Sequence, residues 1–201
     1  MAPISILQRL AKVKAIDENG NSLDVESDRG KFEISPLEGA TTAQLILPLA
    51  LPSREVERIA ELSGQIEPTI PGKTETFRFD DLTNAKNVEK RLAGTKVTLE
   101  QVRRNNQTWE VRIRVGFDQP GDSLQSHRGW IFRNEAYLED ADGKKIPFDG
   151  MQTTRQAENE VGIAYIFALD GPPEKHTFVY KAPGTIATST FSYKIKDVEL
   201  P

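Results

Sequence analysis

This sequence predicts an all-β fold: two tandem antiparallel β-sandwich units, with one short helix in the first. Three observations carry that expectation. Apolar residues recur with a period of two rather than the ~3.6 of a helix. Polar turn clusters interrupt the chain at about ten-residue intervals, the rhythm of an antiparallel sandwich. And one pattern, a hairpin followed by a closing strand, is written twice.

In the repeated pattern, Ala15-Ile16-Asp17-Glu18-Asn19-Gly20-Asn21-Ser22-Leu23 parallels Leu138-Glu139-Asp140-Ala141-Asp142-Gly143-Lys144-Lys145-Ile146, with Asp17 laid on Asp140. Later, Pro71-Gly72 followed by Phe77-Arg78-Phe79-Asp80-Asp81-Leu82 parallels Pro183-Gly184 followed by Tyr193-Lys194-Ile195-Lys196-Asp197-Val198. Each copy reads as strand, acidic glycine turn, strand, and then a Pro-Gly turn before an alternating strand that closes on an Asp and an apolar residue. The expected division is a first unit over 1–83, a connector over 84–94 and a second unit over 95–201. The first copy has no counterpart of 95–133, so the first unit is expected to be shorter or to begin partway along a longer natural chain.

The elements follow from alternation and punctuation. Leu45, Leu47, Leu49 and Leu51 alternate, and Pro48 among them removes a ladder donor, which marks an edge strand or a bulge. Ser53 as cap, Val56, Ile59 and Leu62 as a stripe, and Gly64 as terminator predict the short helix. Phe77 and Phe79 mark the next strand. In the connector, Val88 and Leu92 lie four apart and predict a helical turn docked on a sandwich. Val97 and Leu99, a polar turn near Asn106-Gln107, then Trp109, Val111, Ile113, Val115 and Phe117 make the strongest hairpin, with Arg112 and Arg114 on its solvent face. Val161, Ile163, Tyr165 and Phe167 form another inward row, opposed by the small face of Gly162, Ala164, Ile166 and Ala168. Phe178, Tyr180, Phe191, Tyr193 and Ile195 complete the set.

Composition narrows the function. The net charge of −4 comes from interspersed signs, which argues against a nucleic-acid partner. The chain has no cysteine, so disulfides, thiolate nucleophiles and zinc–thiolate sites are out of reach. No run approaches the ~20 apolar residues of a membrane helix. The first ten residues lack the basic and apolar regions of a signal peptide. An extracytoplasmic protein, periplasmic or extracellular, is the expected setting, its signal absent from this sequence.

Few residues suggest chemistry. Asp140 and Asp142 are weak calcium candidates, because carboxylates two apart can present hard oxygens to one cation, yet a calcium site needs about six to eight ligands. A glycine hairpin turn explains them better. Asp80 and Asp81 adjoin on a strand and so point to opposite faces, not toward one proton. Asp122, Ser123, Ser126 and His127 cluster in a polar loop without a nucleophile elbow. Trp130 and Tyr137 are the ligand-binding candidates: exposed, they and Tyr165 would stack on a sugar; buried, they are core. Asn106-Gln107-Thr108 fits a glycosylation sequon. No catalytic residue and no cofactor are expected.

In its strand rhythm, with Trp109 on an early central strand and Tyr180 or Tyr193 late, the second unit resembles an immunoglobulin-like β-sandwich, without that family's disulfide pair. The resemblance implies a shape and no activity. The function expected is a non-catalytic β-sandwich module of an exported bacterial protein, a spacer or a platform for a protein partner. A carbohydrate-binding module is the alternative and a hydrolase the third reading.

Overall fold

A computed structural model of the chain describes residues 3–26, 29–36, 42–118, 128–157 and 159–200. Its strands are β1 (Ser5–Arg9), β2 (Lys14–Asp17), β3 (Ser22–Leu23), β4 (Lys31–Ile34), β5 (Arg58–Pro71), β6 (Thr74–Phe79), β7 (Lys86–Leu92), β8 (Thr95–Asn105), β9 (Thr108–Phe117), β10 (Ala136–Glu139), β11 (Lys145–Pro147), β12 (Gly150–Gln156), β13 (Glu160–Phe167), β14 (Thr177–Pro183), β15 (Ile186–Thr188) and β16 (Phe191–Glu199). The only helical elements among the described residues are short 310 turns at Leu10–Lys12, Arg128–Arg133 and Pro173–Lys175. The all-β expectation holds. Two compact units form, one from 1–70 with 187–201 and the other from 71–186. These bounds differ from the expected break at 83 to 95.

In the first unit, β5 is the spine of a single antiparallel sheet. One edge takes β2 and β1, flanked by β3 and β4; the other takes β16 and β15. Here the expected helix is corrected. Residues 53–64 hold a turn, closed by Val56 N–H donating to the Ser53 carbonyl, and then β5. The three-residue step from Ile59 to Leu62 imitates a helical stripe because Ala60 is a bulge. Against β2 the register jumps from Ile16–Glu61 to Asp17–Ile59, leaving Ala60 as the extra residue. The bulge turns Ile59 onto the face of Leu62, where both pack with Ala15 and Leu23. Leu45 to Leu51 is not a strand either. One isolated bridge, Val25 with Leu49, ties it down, and Leu51 is 94% exposed.

The second unit is a sandwich. A four-stranded sheet, β11-β10-β14-β6, faces a five-stranded one, β12-β13-β9-β8-β7. The β8–β9 hairpin forms as expected, with Asn106 left-handed at its turn (φ 55°). Val111, Ile113, Val115, Val161, Ile163 and Tyr165 are fully buried, while Trp109, at the end of the row, is half-buried. Tyr165 and Phe167 meet Phe178 across the two sheets with ring centroids 5.8 and 6.3 Å apart. The expected connector helix is corrected: 86–92 is β7, the edge strand of the five-stranded sheet. Val88 and Leu92 share a face because four residues are also two strand periods.

The written repeat reappears in the pairing. Asp17 and Asp140 build the same turn. Each Oδ1 accepts the backbone N–H groups two and four residues on, and Gly20 and Gly143 close the turns at φ 85° and 80°. Ala15 pairs with Leu23 and Leu62; 123 positions on, Leu138 pairs with Ile146 and Phe178. Gly64 pairs with Tyr193, and Tyr180 pairs with Phe77; Gly64 to Tyr180 and Phe77 to Tyr193 are both steps of 116. Asp81 and Asp197, also 116 apart, are both left-handed, at φ 51° and 53°.

The sandwich core yields the first prediction. Ile113→Asp places an unpaired charge among fully buried residues, and should lower the stability of the second unit by about 4 kcal/mol or more. Thermal unfolding followed by tryptophan fluorescence measures it; an unchanged transition would refute the inward assignment.

Candidate functional site

The aromatic candidates do not form an exposed platform. Trp130, in the 310 turn Arg128–Arg133, is 9% exposed, its ring centroid 5.4 Å from that of Phe117. Tyr165 is fully buried. Tyr137 lies on the outer face of β10 at 7% exposure, because two lysines cover it: Lys145 Nζ is 4.4 Å and Lys181 Nζ 5.8 Å from the ring centroid. Both lysines donate to Glu135, each at 2.7 Å. These bonds, that from Lys145 foremost, hold the Glu135 carboxyl below the usual glutamate range, and the same bond raises the Lys145 ammonium.

Three of the four acidic candidates, Asp140, Asp80 and Asp81, have their carboxylates engaged by the backbone or by a neighbour. Asp140 Oδ1 is the acceptor of its own turn, and Asp142 contributes its N–H to that oxygen. Asp80 accepts the Thr177 hydroxyl at 2.6 Å, while Asp81 accepts the Asn84 amide at 2.9 Å. The two carboxylates therefore serve different partners. Asp122, Ser123, Ser126 and His127 lie outside the described residues. Among the described residues no group of three or more His, Cys, Asp and Glu side chains gathers as a metal site would require.

On the outer face of the five-stranded sheet the expectation for Arg112 and Arg114 changes. Rather than standing free in solvent, both are half-buried and ion-paired. Glu110, only 5% exposed at its side chain, accepts from Arg103 and Arg112. Arg114 bridges Glu100 at 2.8 Å and Glu160 at 3.5 Å, and Arg155 reaches Glu160 at 3.0 Å. Their cross-strand neighbours on β13 are small, Ala164 opposite Arg112 and Gly162 opposite Arg114, and the space over Gly162 is taken by Thr154 and Arg155.

The first unit's sheet presents a different surface. Cross-strand partners share a face, so two rows can be read from the pairing. One runs Phe32, Gln8, Ile66, Phe191; the other runs Leu23, Ala15, Leu62, Ile195. Tyr193 lies between them on β16, seated over Gly64. The opposite face carries Ser63, Glu61, Lys194 and Lys196, with Ile16 beside Glu61. On the apolar face Phe191 is 52% and Ile195 49% exposed, with Phe32, Leu62, Ile66 and Tyr193 half-buried. In the second unit Phe77, Phe79, Phe178 and Tyr180, which match Tyr193, Ile195, Leu62 and Gly64, are at most 1% exposed, covered by the five-stranded sheet. The alternation Phe191-Ser192-Tyr193-Lys194-Ile195 was visible in the sequence as an inward row. That it stays open was not, since alternation reports sidedness and not cover.

Comparison of the chain with protein-family models, with curated proteins and with solved structures finds no match. The reading of the site therefore rests on this geometry. Its main features are ion-pair lattices on the second unit and a half-open apolar sheet face on the first. No helix among the described residues is long and apolar enough to cross a membrane.

Glu110 gives a pH prediction. Burial alone would raise its carboxyl; the bonds from Arg103 and Arg112 outweigh that and leave it below the ordinary 4.5. A lowered folded value means the stabilisation is fully present above about pH 4.5 and is lost as pH falls through the depressed value. Glu110→Gln should thus be less stable than wild type at pH 7, with the gap closing on acidification. Urea unfolding at pH 7 and at pH 3 checks it; a gap that does not change with pH sinks the assignment.

Proposed function

We propose that this chain is a non-catalytic β-sandwich module of an exported bacterial protein, and that it works as a platform for a protein partner. The second unit, with its four- and five-stranded antiparallel sheets packed face to face, is read as an immunoglobulin-like sandwich. One observation carries the platform reading: the apolar face of the first unit is half-open, whereas the matching face of the second is sealed. Contiguous exposed apolar surface on a folded protein marks a docking site. The sealed face also indicates the chemistry of the cover: an antiparallel sheet that lays its own alternating apolar row across β5 and β16. The lack of cysteine suits a protein that must fold outside the cytoplasm without disulfides. The sugar-binding alternative called for Trp130, Tyr137 or Tyr165 exposed on a flat face, and the burial of all three favours the platform reading over it.

The test uses Phe191→Glu with Ile195→Glu, the two positions of the apolar face that are about half exposed. Wild type should enhance the fluorescence of a hydrophobic dye and retain a set of extracellular proteins; the double variant should lose roughly tenfold or more of both. Circular dichroism confirms that the variant is folded. Equal dye binding and equal retention by a folded variant would end the platform reading.

A further inference from the structure

The two four-stranded arrays share more than a turn. β3-β2-β5-β16 and β11-β10-β14-β6 have the same order and the same residue-to-residue register. By sequence, β6 follows β5 and β16 follows β14. By pairing, β6 completes the sheet of β14 and β16 completes the sheet of β5. Equivalent strands have traded places. The acceptor edge of β5 thus recognises its closing strand by register and side chains and not by which strand precedes it in the chain.

From this we infer that the β5 edge from Arg58 to Ile66 is a strand-binding site, and that the β16 segment of a second copy of this chain is a further ligand for it. Its specificity is written in four contacts. Tyr193 fills the space over Gly64, where an added Cβ would come within 2.6 Å of the ring Cζ. Ile195 faces Leu62, and Val198 faces Ile59 beyond the left-handed Asp197. Lys194 reaches Glu61 at 2.6 Å. The two traded strands are held unequally. Phe77 and Phe79 of β6 are at most 1% exposed, whereas of their counterparts on β16 Tyr193 is half-buried and Ile195 is 49% exposed. β16 is therefore the strand released at lower cost. Only residues 189–190 separate it from β15, and short hinges favour exchange between chains. A reciprocal exchange restores every contact of the closed form, leaving concentration and the hinge to decide the balance.

The chain lacks cysteine, so introduced thiols are unique. Ser63 and Lys194 are direct partners on the polar face, at a spacing a disulfide can bridge. The double variant Ser63→Cys/Lys194→Cys, oxidised when dilute, should close within one chain. Equimolar Ser63→Cys and Lys194→Cys single variants, incubated together at rising concentration and then oxidised, should give a dimer joined between 63 and 194 on peptide mapping. Its yield should be at least tenfold above that from Ser63→Cys mixed with Lys144→Cys. Gly64→Ala, which blocks the Tyr193 seat, should reduce both products. A mixture that links no better than its control, beside a double variant that closes fully, would overturn exchange between copies. A double variant that does not close would overturn the site itself.

Discussion

Backbone pairing along both edges of β5 is the constraint on which the first unit depends. This strand has 14 residues, well beyond the usual five or six, and is paired on both sides. Ser63 has Lys14 on one side and Lys194 on the other; Ile66 has Gln8 and Phe191. Ala15, Leu23 and Ile59 form one buried cluster, with Leu49, Leu62, Val198 and Leu200 leaning on it, and Leu10, Val13 and Val56 are buried elsewhere in the unit. Main-chain hydrogen bonds supply order and register, while the apolar face is left half free. That openness is what the proposed docking would use, because a sheet sealed on both sides has no free apolar face.

The second unit shows the same array under different conditions. Its β14 has Tyr180 where β5 has Gly64, and Phe178 where β5 has Leu62. The larger residues fill the space between two sheets, and Asn134 donates to the Tyr180 hydroxyl at 2.8 Å so that the buried oxygen keeps a partner. Burial raises the Tyr180 phenol well above its ordinary value, with the Tyr165 phenol adding to the effect. The Tyr193 hydroxyl over Gly64 is also raised by burial. The exchange of Tyr and Gly between the two arrays is a size swap across one cross-strand pair: Phe77 with Tyr180 in one, Tyr193 with Gly64 in the other. Such complementarity fixes register more tightly than alternation alone.

Much of this was legible from residues. The acidic glycine turns at Asp17 and Asp140, the β8–β9 hairpin and the inward row of β13 follow from turn chemistry and period-two patterning. What failed did so for physical reasons. Ile59 and Leu62 looked helical because a bulge at Ala60 replaces the strand period locally by three. Val88 and Leu92 looked helical because a spacing of four satisfies both periods. The alternation of Leu45 to Leu51 promised a strand, but the segment pairs only through the single bridge of Leu49 with Val25. The exchange of β6 and β16 could not be read at all: a sequence repeat says which segments are alike, not which partner each chooses. The open apolar face was hidden likewise, because cover is a tertiary property.

Strand acceptance by β5 raises the question of why other edges do not accept strands indiscriminately, and three borders, those of β7, β12 and β16, show how. β7 is exposed along its whole length and carries Lys86, Glu89, Lys90 and Arg91, with Asn87 left-handed to break the ladder. β12, at the other border of that sheet, shifts register between Thr153 and Arg155. The outer edge of β16 is interrupted at Asp197, whose positive φ turns the backbone away, and Lys194 and Lys196 flank it. Charge, bulge and left-handed residues are the devices that keep sheet borders from uncontrolled addition. With those borders blunted, the selectivity of the molecule concentrates where the backbone is regular and the side chains are specific. That is the β5 edge, where one ring fits over one glycine.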